Sequence, residues 1–193
     1  IIRKLYESSD KELTYKEYKN FIYLKVARNY LRYRWIIVYL LGAAPVIHES
    51  FLNGCSCKLK QINQDGYTVD GAVSHRNGEC GYRNKEELYP NYDTVEDYVE
   101  SINKYVNDGV IDSHKELYSQ VRLKAKEPKN FLNSLLEDGI SYLEYRSIDI
   151  NPFEKGGISL NDLYFLQLLN IYMLIKEESS YDKWQQEAVR NQH

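Results

Sequence analysis

Apolar side chains between Thr14 and Gly42 recur at steps of three and four residues, through Tyr15, Tyr18, Ile22, Val26, Tyr30, Tyr33 and Ile37. That spacing predicts one long helix with Gly42 as its C-terminal stop. Its second half is apolar nearly all round, and the run from Trp35 to Ile47 reads as a buried helix end, too short for the roughly 20 residues of a bilayer span. From Gly54 to Gly81 the chain is broken by Gly66, Gly71 and Gly78 among polar residues, the composition of turns between short strands. Asp93-Thr94-Val95-Glu96 starts a second helix, in which Val95, Tyr98, Val99, Ile102 and Val106 form a face to pack on a sheet until Asp108-Gly109 ends it. Phe131 to Leu136 reads as a short helix closed by Asp138-Gly139.

At Ile140 the period changes from 3.6 to 2. Ile140, Tyr142, Glu144, Arg146, Ile148 and Ile150 alternate with Ser141, Leu143, Tyr145, Ser147, Asp149 and Asn151, which predicts a strand ended by Asn151-Pro152. The three isoleucines predict that the face shared with Glu144 and Arg146 is turned inward. After a turn at Gly156-Gly157, Ser159 to Asp162 cap a helix so rich in leucine that it reads as a core helix through Ile175. Lys176 to His193 reads as a polar last helix. The chain has no internal repeats or low-complexity tracts.

An inward Glu144 and Arg146 need each other or a ligand, because a buried unpaired charge costs several kcal/mol or more. Two readings follow from the residues alone. One is an ion pair on a solvated strand face. The other is a carboxylate that holds a divalent cation beside a guanidinium that holds phosphate, a chemistry suited to nucleotide-dependent phosphoryl transfer. Arg28, Arg32 and Arg34 on the first long helix fit surface or salt-bridge positions, with phosphate-facing positions as the alternative.

With 193 residues, 43% hydrophobic and 27% charged, the chain has the composition of one ordinary globular domain. The net charge of −3 is spread among interleaved acids and bases, so no stripe for nucleic acid stands out and no membrane span is expected. Ile1 opens the chain without an initiator Met or a leader pattern, which reads as a piece of something longer. Cys55, Cys57 and Cys80 are odd in number and poorly spaced for a disulfide or a zinc pair, so they are expected to form neither, in a reducing, cytoplasmic setting.

Four words carry more than periodicity does. YLEYRSIDINPF (142–153) resembles the strand of bacterial glutamate-cysteine ligases in which a Glu-x-Arg-Ser-x-Asp-x-Asn-Pro-Phe run lines the ATP and metal site. ARNYLRYRWIIVYLLGAAPVIHESFL (27–52) is similar to the family's helix that ends in Tyr-Leu-x-Gly-Ala-x-Pro. GAVSHRNGECGYRN (71–84) resembles its Ser-x-Arg-Asn loop, and HKELYSQVRLK (114–124) its Glu-x-Tyr-x-x-x-Arg segment. The order is the family's, and the nearest shape is the ligase half of the bifunctional glutathione-biosynthesis enzyme.

The resemblance implies an α+β fold of the glutamine-synthetase-like kind, long helices packed on an antiparallel sheet, and an ATP-dependent joining of the γ-carboxylate of glutamate to the amine of cysteine. It implies Mg2+ as cofactor with Glu144 as a metal ligand, Arg146 and Arg76 on the transferred phosphoryl group, Tyr82 and Tyr118 as walls of the cysteine pocket, and Arg122 as a supporting cation. The family's other metal carboxylates precede the first matched word. The chain is therefore expected to be a single partial domain over 1–193, a central fragment without the N-terminal metal-site strands or a glutathione synthetase domain, inactive alone and dependent on the rest of the same polypeptide. His75 and Gly78-Glu79-Cys80 depart from the family's loop, which keeps open a related carboxylate-amine ligase with another acceptor. A non-catalytic helical scaffold that keeps these words for its core is the alternative from a different class.

Overall fold

The computed structural model describes residues 1–52, 59–69, 73–78, 81, 84 and 88–178. A short helix α1 (Ile2–Glu7) leads into α2 (Tyr15–Leu41), whose start is fixed by a reciprocal cap: the Thr14 hydroxyl accepts from Glu17 N, and the Glu17 carboxylate accepts from Thr14 N at 2.8 Å. Gly42 ends α2 by close approach. A Cβ there would lie 2.6 Å from the Val38 carbonyl and 2.8 Å from that of Val73, so only glycine lets the loop at 73–78 rest on the helix end.

Strands β1 (Ile47–His48), β2 (Leu59–Gln61) and β3 (Gly66–Val69) form an antiparallel sheet in the order β1-β3-β2. Helix α3 (Val95–Asn107) is capped by Thr94, whose hydroxyl accepts from Asp97 N at 3.0 Å. Strand β4 (Val121–Lys124), helix α4 (Phe131–Asp138), strand β5 (Tyr142–Tyr145) and helix α5 (Leu160–Ile175) follow. Strands β4 and β5 make a separate antiparallel ribbon in which Val121 faces Tyr145, Arg122 faces Glu144 and Lys124 faces Tyr142.

One core joins α2, α3, α4, α5 and one face of the β4–β5 ribbon. Tyr30, Tyr98, Ile102, Leu123, Leu135, Ile140 and Met173 are sealed within it. Tyr30 of α2 stacks on Tyr145 of β5 with ring centroids 4.0 Å apart, which binds the ribbon to the long helix. The α+β architecture of the sequence reading holds, with two small sheets among the described residues in place of one.

Four expectations are corrected. The strand predicted over Ile140 to Asn151 is regular only from Tyr142 to Tyr145, and within that paired segment the inward face is the other one: Leu143 and Tyr145 pack on the core while Tyr142 is exposed, although Ile140 before it is buried and Ile148 after it packs on the core, with Ile150 80% exposed. Two isoleucines lay past the point where alternation stops, so they could not report the face of the paired segment. The end of α2 is not buried as expected, since Tyr39 is 76% exposed and Trp35, Leu40 and Val46 are also exposed. Helix α5 is not enclosed either; Leu169 and Met173 face the core, whereas Leu160, Tyr164, Leu168 and Ile175 lie at the surface. A helix apolar on every side offers no polar stripe to mark the outside, which is why it read as core.

The fourth correction concerns the arginines of α2. Arg28, Arg32 and Arg34 are buried, not on the surface. The salt-bridge half of the expectation fits Arg28, which donates from Nε and Nη2 to the two Glu178 oxygens at 2.7 and 2.6 Å and from Nη1 to the Tyr92 carbonyl at 2.6 Å. This bidentate contact ties α2 to the segment after α5 and to the turn before α3. Asn29 works in the same way, donating to the Met173 carbonyl at 2.9 Å.

Candidate functional site

The outward face of the β4–β5 ribbon carries Arg122, Lys124, Glu144 and, one step past the last paired residue, Arg146. The ladder continues there, because Arg146 N donates to the Gln120 carbonyl at 2.8 Å. Glu144 sits in the middle of this row. Its carboxylate meets Lys124 Nζ at 2.5 Å and Arg146 Nε at 3.6 Å, and Arg122 is its cross-strand neighbour. Burial pushes the Glu144 carboxyl up, but the hydrogen bond and charge of Lys124, with Arg146 and Arg122, outweigh it and hold the group below its ordinary range. Arg146 is shifted downward by burial and by Arg122, partly offset by Glu144, with Arg76 adding to the downward push.

The loop at 73–78 is fastened to the same edge. Arg76 Nε donates to the Arg146 carbonyl, and Asn77 Nδ2 donates to the Ser147 carbonyl at 2.9 Å and to Ser74 Oγ at 2.7 Å. Asp149 locks this arrangement: one carboxylate oxygen accepts from Ser74 Oγ at 3.0 Å and the other from Ala43 N, just past the end of α2, at 3.1 Å. At the loop's far end a Cβ on Gly81 would lie 2.2 Å from the His75 carbonyl, so the turn closes only around glycine.

Tyr118 stands at the other edge. Asn84 spans the gap to it, donating to the Glu116 carbonyl at 2.6 Å and accepting from Tyr118 N at 2.9 Å. The Arg146 guanidinium lies 5.9 Å from the centre of the Tyr118 ring, at the outer limit of a cation–π contact. Arg122 donates from Nη2 to the His114 carbonyl at 2.8 Å and so braces the turn that precedes Tyr118.

Five of the six residues singled out from sequence are therefore on one side of the molecule: Glu144, Arg146, Arg76, Arg122 and Tyr118. Tyr82 lies outside the described residues, as do Cys55, Cys57, Cys80 and the last predicted helix beyond Glu178. Sequence reasoning overlooked Lys124, Asp149, Ser74 and Asn77. All four fall inside words already quoted, and their signal was available: a run matched over ten residues marks its unassigned positions as much as its assigned ones.

Among the described residues no three His, Cys, Asp or Glu side chains cluster as a metal would need. Glu144 with its ring of cations does not by itself fit a divalent ion, which takes several oxygen ligands. What the arrangement can hold directly is an anion with several oxygens.

Titration of Glu144 tests this electrostatic reading. A carboxyl whose pKa is depressed by folding contributes stability above its unfolded pKa, near 4.3, and loses it as pH falls through the lower folded value. A carbon-13 titration should place the Glu144 midpoint below that of free glutamate, and Lys124→Met should raise it. A midpoint unmoved by that substitution would remove Lys124 as its principal partner.

A profile of the glutamate-cysteine ligase family matches residues 1–109 and 103–193, the whole chain. The glutathione biosynthesis bifunctional protein GshAB of Clostridium perfringens is 38% identical over 192 residues, all of this chain and 25% of that protein. The namesake protein from Listeria monocytogenes serotype 4b is 41% identical over 165 residues, 84% of this chain and 21% of its own length. In three dimensions a bifunctional glutathione synthetase from Pasteurella multocida superposes with a TM-score of 0.78 at 32% identity, covering 99% of this chain and 24% of that one. A glutamate-cysteine ligase from Francisella tularensis, solved with AMP, superposes at 0.80 with 24% identity over 99% of this chain and 42% of its own, a likeness of fold. The chain thus spans about a quarter of the length of the curated relatives it matches, and it belongs to the glutamate-cysteine ligase family.

Proposed function

We propose that this chain supplies the phosphate-binding edge and one wall of the acceptor pocket of an ATP-dependent glutamate-cysteine ligase. The observation that carries the reading is the convergence of Arg122, Lys124 and Arg146 about a single carboxylate, Glu144, at one face of the ribbon, with Arg76 held against the Arg146 carbonyl. So many cations around one anion leave positive charge to spare for phosphate oxygens. In the reaction the γ-carboxylate of glutamate attacks the γ-phosphorus of ATP, and ADP leaves. The cysteine amine then displaces inorganic phosphate from the acyl phosphate, forming the amide and releasing a proton.

This chain's residues act on charge and position. Arg146 and Arg76 hold the phosphoryl oxygens as negative charge shifts toward the leaving group; one such preorganised donor is worth about 2.7–4 kcal/mol of barrier. Tyr118, beside Arg146, forms the acceptor wall that keeps the amine near the acyl carbon, with Tyr82 as its partner by family likeness. Magnesium bound with the nucleotide would supply Lewis acidity, with Glu144 as one ligand and the others from outside the described residues. The setting we propose is cytoplasmic, where ATP and the free thiol coexist; no helix among the described residues is long and apolar enough to cross a membrane.

The test is substrate-dependent ATP consumption by the full polypeptide that carries this chain. Phosphate release should require glutamate, cysteine and magnesium together. Equal release with another amine in place of cysteine would reassign the acceptor, and no release under any combination would support a scaffold instead.

A further inference from the structure

Helix α5 turns its two sides to different surroundings. Leu169 and Met173 enter the core, and Asn170 accepts a hydrogen bond from the Tyr145 hydroxyl on the inward side of β5, so α5 lies on the core side of the ribbon. The other side, set by Leu160, Tyr164, Leu168, Ile171 and Ile175 at steps of three and four, points away from Glu144 and Arg146. With Leu163 and Tyr172 at its flanks, it presents seven large apolar side chains, each 41% exposed or more. No charged residue stands between Asp162 and Lys176.

The turn before α5 extends this surface. Asn151 N donates to the Gly157 carbonyl at 2.8 Å, Gly157 N to the Glu154 carbonyl at 2.8 Å, and Phe153 N to Asn151 Oδ1 at 3.0 Å. These bonds order the backbone around Phe153, whose ring is 94% exposed. A phenyl ring held out in water by an ordered turn has the form of an anchor that fills a pocket in a partner.

Area and composition narrow the occupant. Large side chains carry roughly 150–250 Å² each, so the surface exceeds the few hundred Å² of contiguous apolar patch that monomers usually expose. It reaches the scale of the roughly 800 Å² that one partner gives to a stable interface. Uncharged through its centre, it has the character of obligate contacts, which resemble a core cut in half. The relatives contain such a permanent partner within one polypeptide. This chain covers 25% of the Clostridium protein and 42% of the Francisella ligase, so more than half of a ligase chain lies beyond the superposed part.

We propose that the outer side of α5 and the Phe153 turn form a packing surface covered by another part of the ligase half of the same polypeptide, through an apolar, uncharged face. This chain is then a middle layer, with the cations about Glu144 on one side and the covering element on the opposite side. The proposal rests on family membership and on the share of the relatives that the chain spans, and not on the phosphoryl role of Arg146.

Photocrosslinking of the full polypeptide tests it. Tyr164→benzoylphenylalanine keeps an aromatic ring and, on irradiation, should join position 164 to a peptide of the ligase half of the same molecule, read by mass spectrometry. The yield should hold on dilution of about a hundredfold, since an intramolecular contact has no concentration dependence. A product of twice the mass that fades on dilution marks a second copy and overturns the proposal, as does a crosslink into a glutathione synthetase half. Leu168→Cys reads burial independently. Maleimide labelling of position 168 should be at least about a hundredfold slower in the native polypeptide than in urea, as for a site that reacts only through opening. Labelling at the unfolded rate leaves the surface open to water and overturns the covering. A polypeptide that turns over ATP but labels freely at position 168 refutes this inference alone, and one protected there that makes no amide refutes only the ligase reading.

Discussion

Arg146→Lys in the full polypeptide should lower kcat by roughly a hundredfold or more, the scale on which one transition-state donor is lost. The substitution keeps the charge and removes the planar fork that can grip two phosphate oxygens at once. It should leave the fold in place for a structural reason. Arg76 is anchored to the backbone carbonyl of Arg146 and not to its side chain, and the ladder contact to Gln120 is also main chain. The 3.6 Å approach to Glu144 can be replaced by an ammonium, and Glu144 keeps Lys124 at 2.5 Å. Steady-state kinetics with saturating glutamate, cysteine and ATP, beside a thermal melt, separate the outcomes. An early-melting variant would mark Arg146 as a structural partner of Glu144. A stable variant with undiminished turnover would sink its phosphoryl role.

Tyr98→Ala should be the most damaging of the core substitutions for stability. Tyr98 is fully buried in α3, tilted against Tyr92 with centroids 5.0 Å apart, in the same cluster as Val121 and Leu123 of β4. Removing a buried aromatic costs about 3–5 kcal/mol, because the lost transfer energy adds to the cavity left behind. The damage should also reach the site, since β4 carries Arg122 and Lys124 on its opposite face. Tyr98→Phe retains the ring and removes a buried hydroxyl that makes no hydrogen bond among the described residues, so it should cost less than about 1 kcal/mol. Urea unfolding followed by circular dichroism compares the two. If Tyr98→Ala were no worse than Tyr98→Phe, α3 would not be what holds β4 in place.

Much of this was legible in the sequence. The long helix runs from Tyr15 to Leu41 between the cap and the glycine that the sequence marks, and Thr94 and Ser159 start α3 and α5 where capping chemistry puts them. These features are local: a side-chain oxygen three residues from a backbone amide needs no distant partner to act. Family membership was legible too, because four long words in a fixed order are improbable by chance and depend on no coordinates. The same words brought Arg76, Arg122, Glu144 and Arg146 forward as candidates.

Facing and burial are different in kind. That Glu144 and Arg146 look outward was decided by Tyr145 stacking on Tyr30, a contact across more than a hundred residues, against a pattern of isoleucines that extended past the paired strand. Arg28 is buried because Glu178 and the Tyr92 carbonyl arrive from two other elements to satisfy it. Asp149 reads in sequence as one polar residue on an alternating strand. Only folding brings it Ser74 and Ala43, 75 and 106 residues away, and turns it into the clamp on the Arg76 loop. Sequence by itself determined where helices begin and end and which family the chain belongs to, since both rest on short-range chemistry and on the identity of words. Tertiary structure alone decided which strand face bears the charges and what holds them, because an alternating pattern defines two faces and only long-range packing chooses between them.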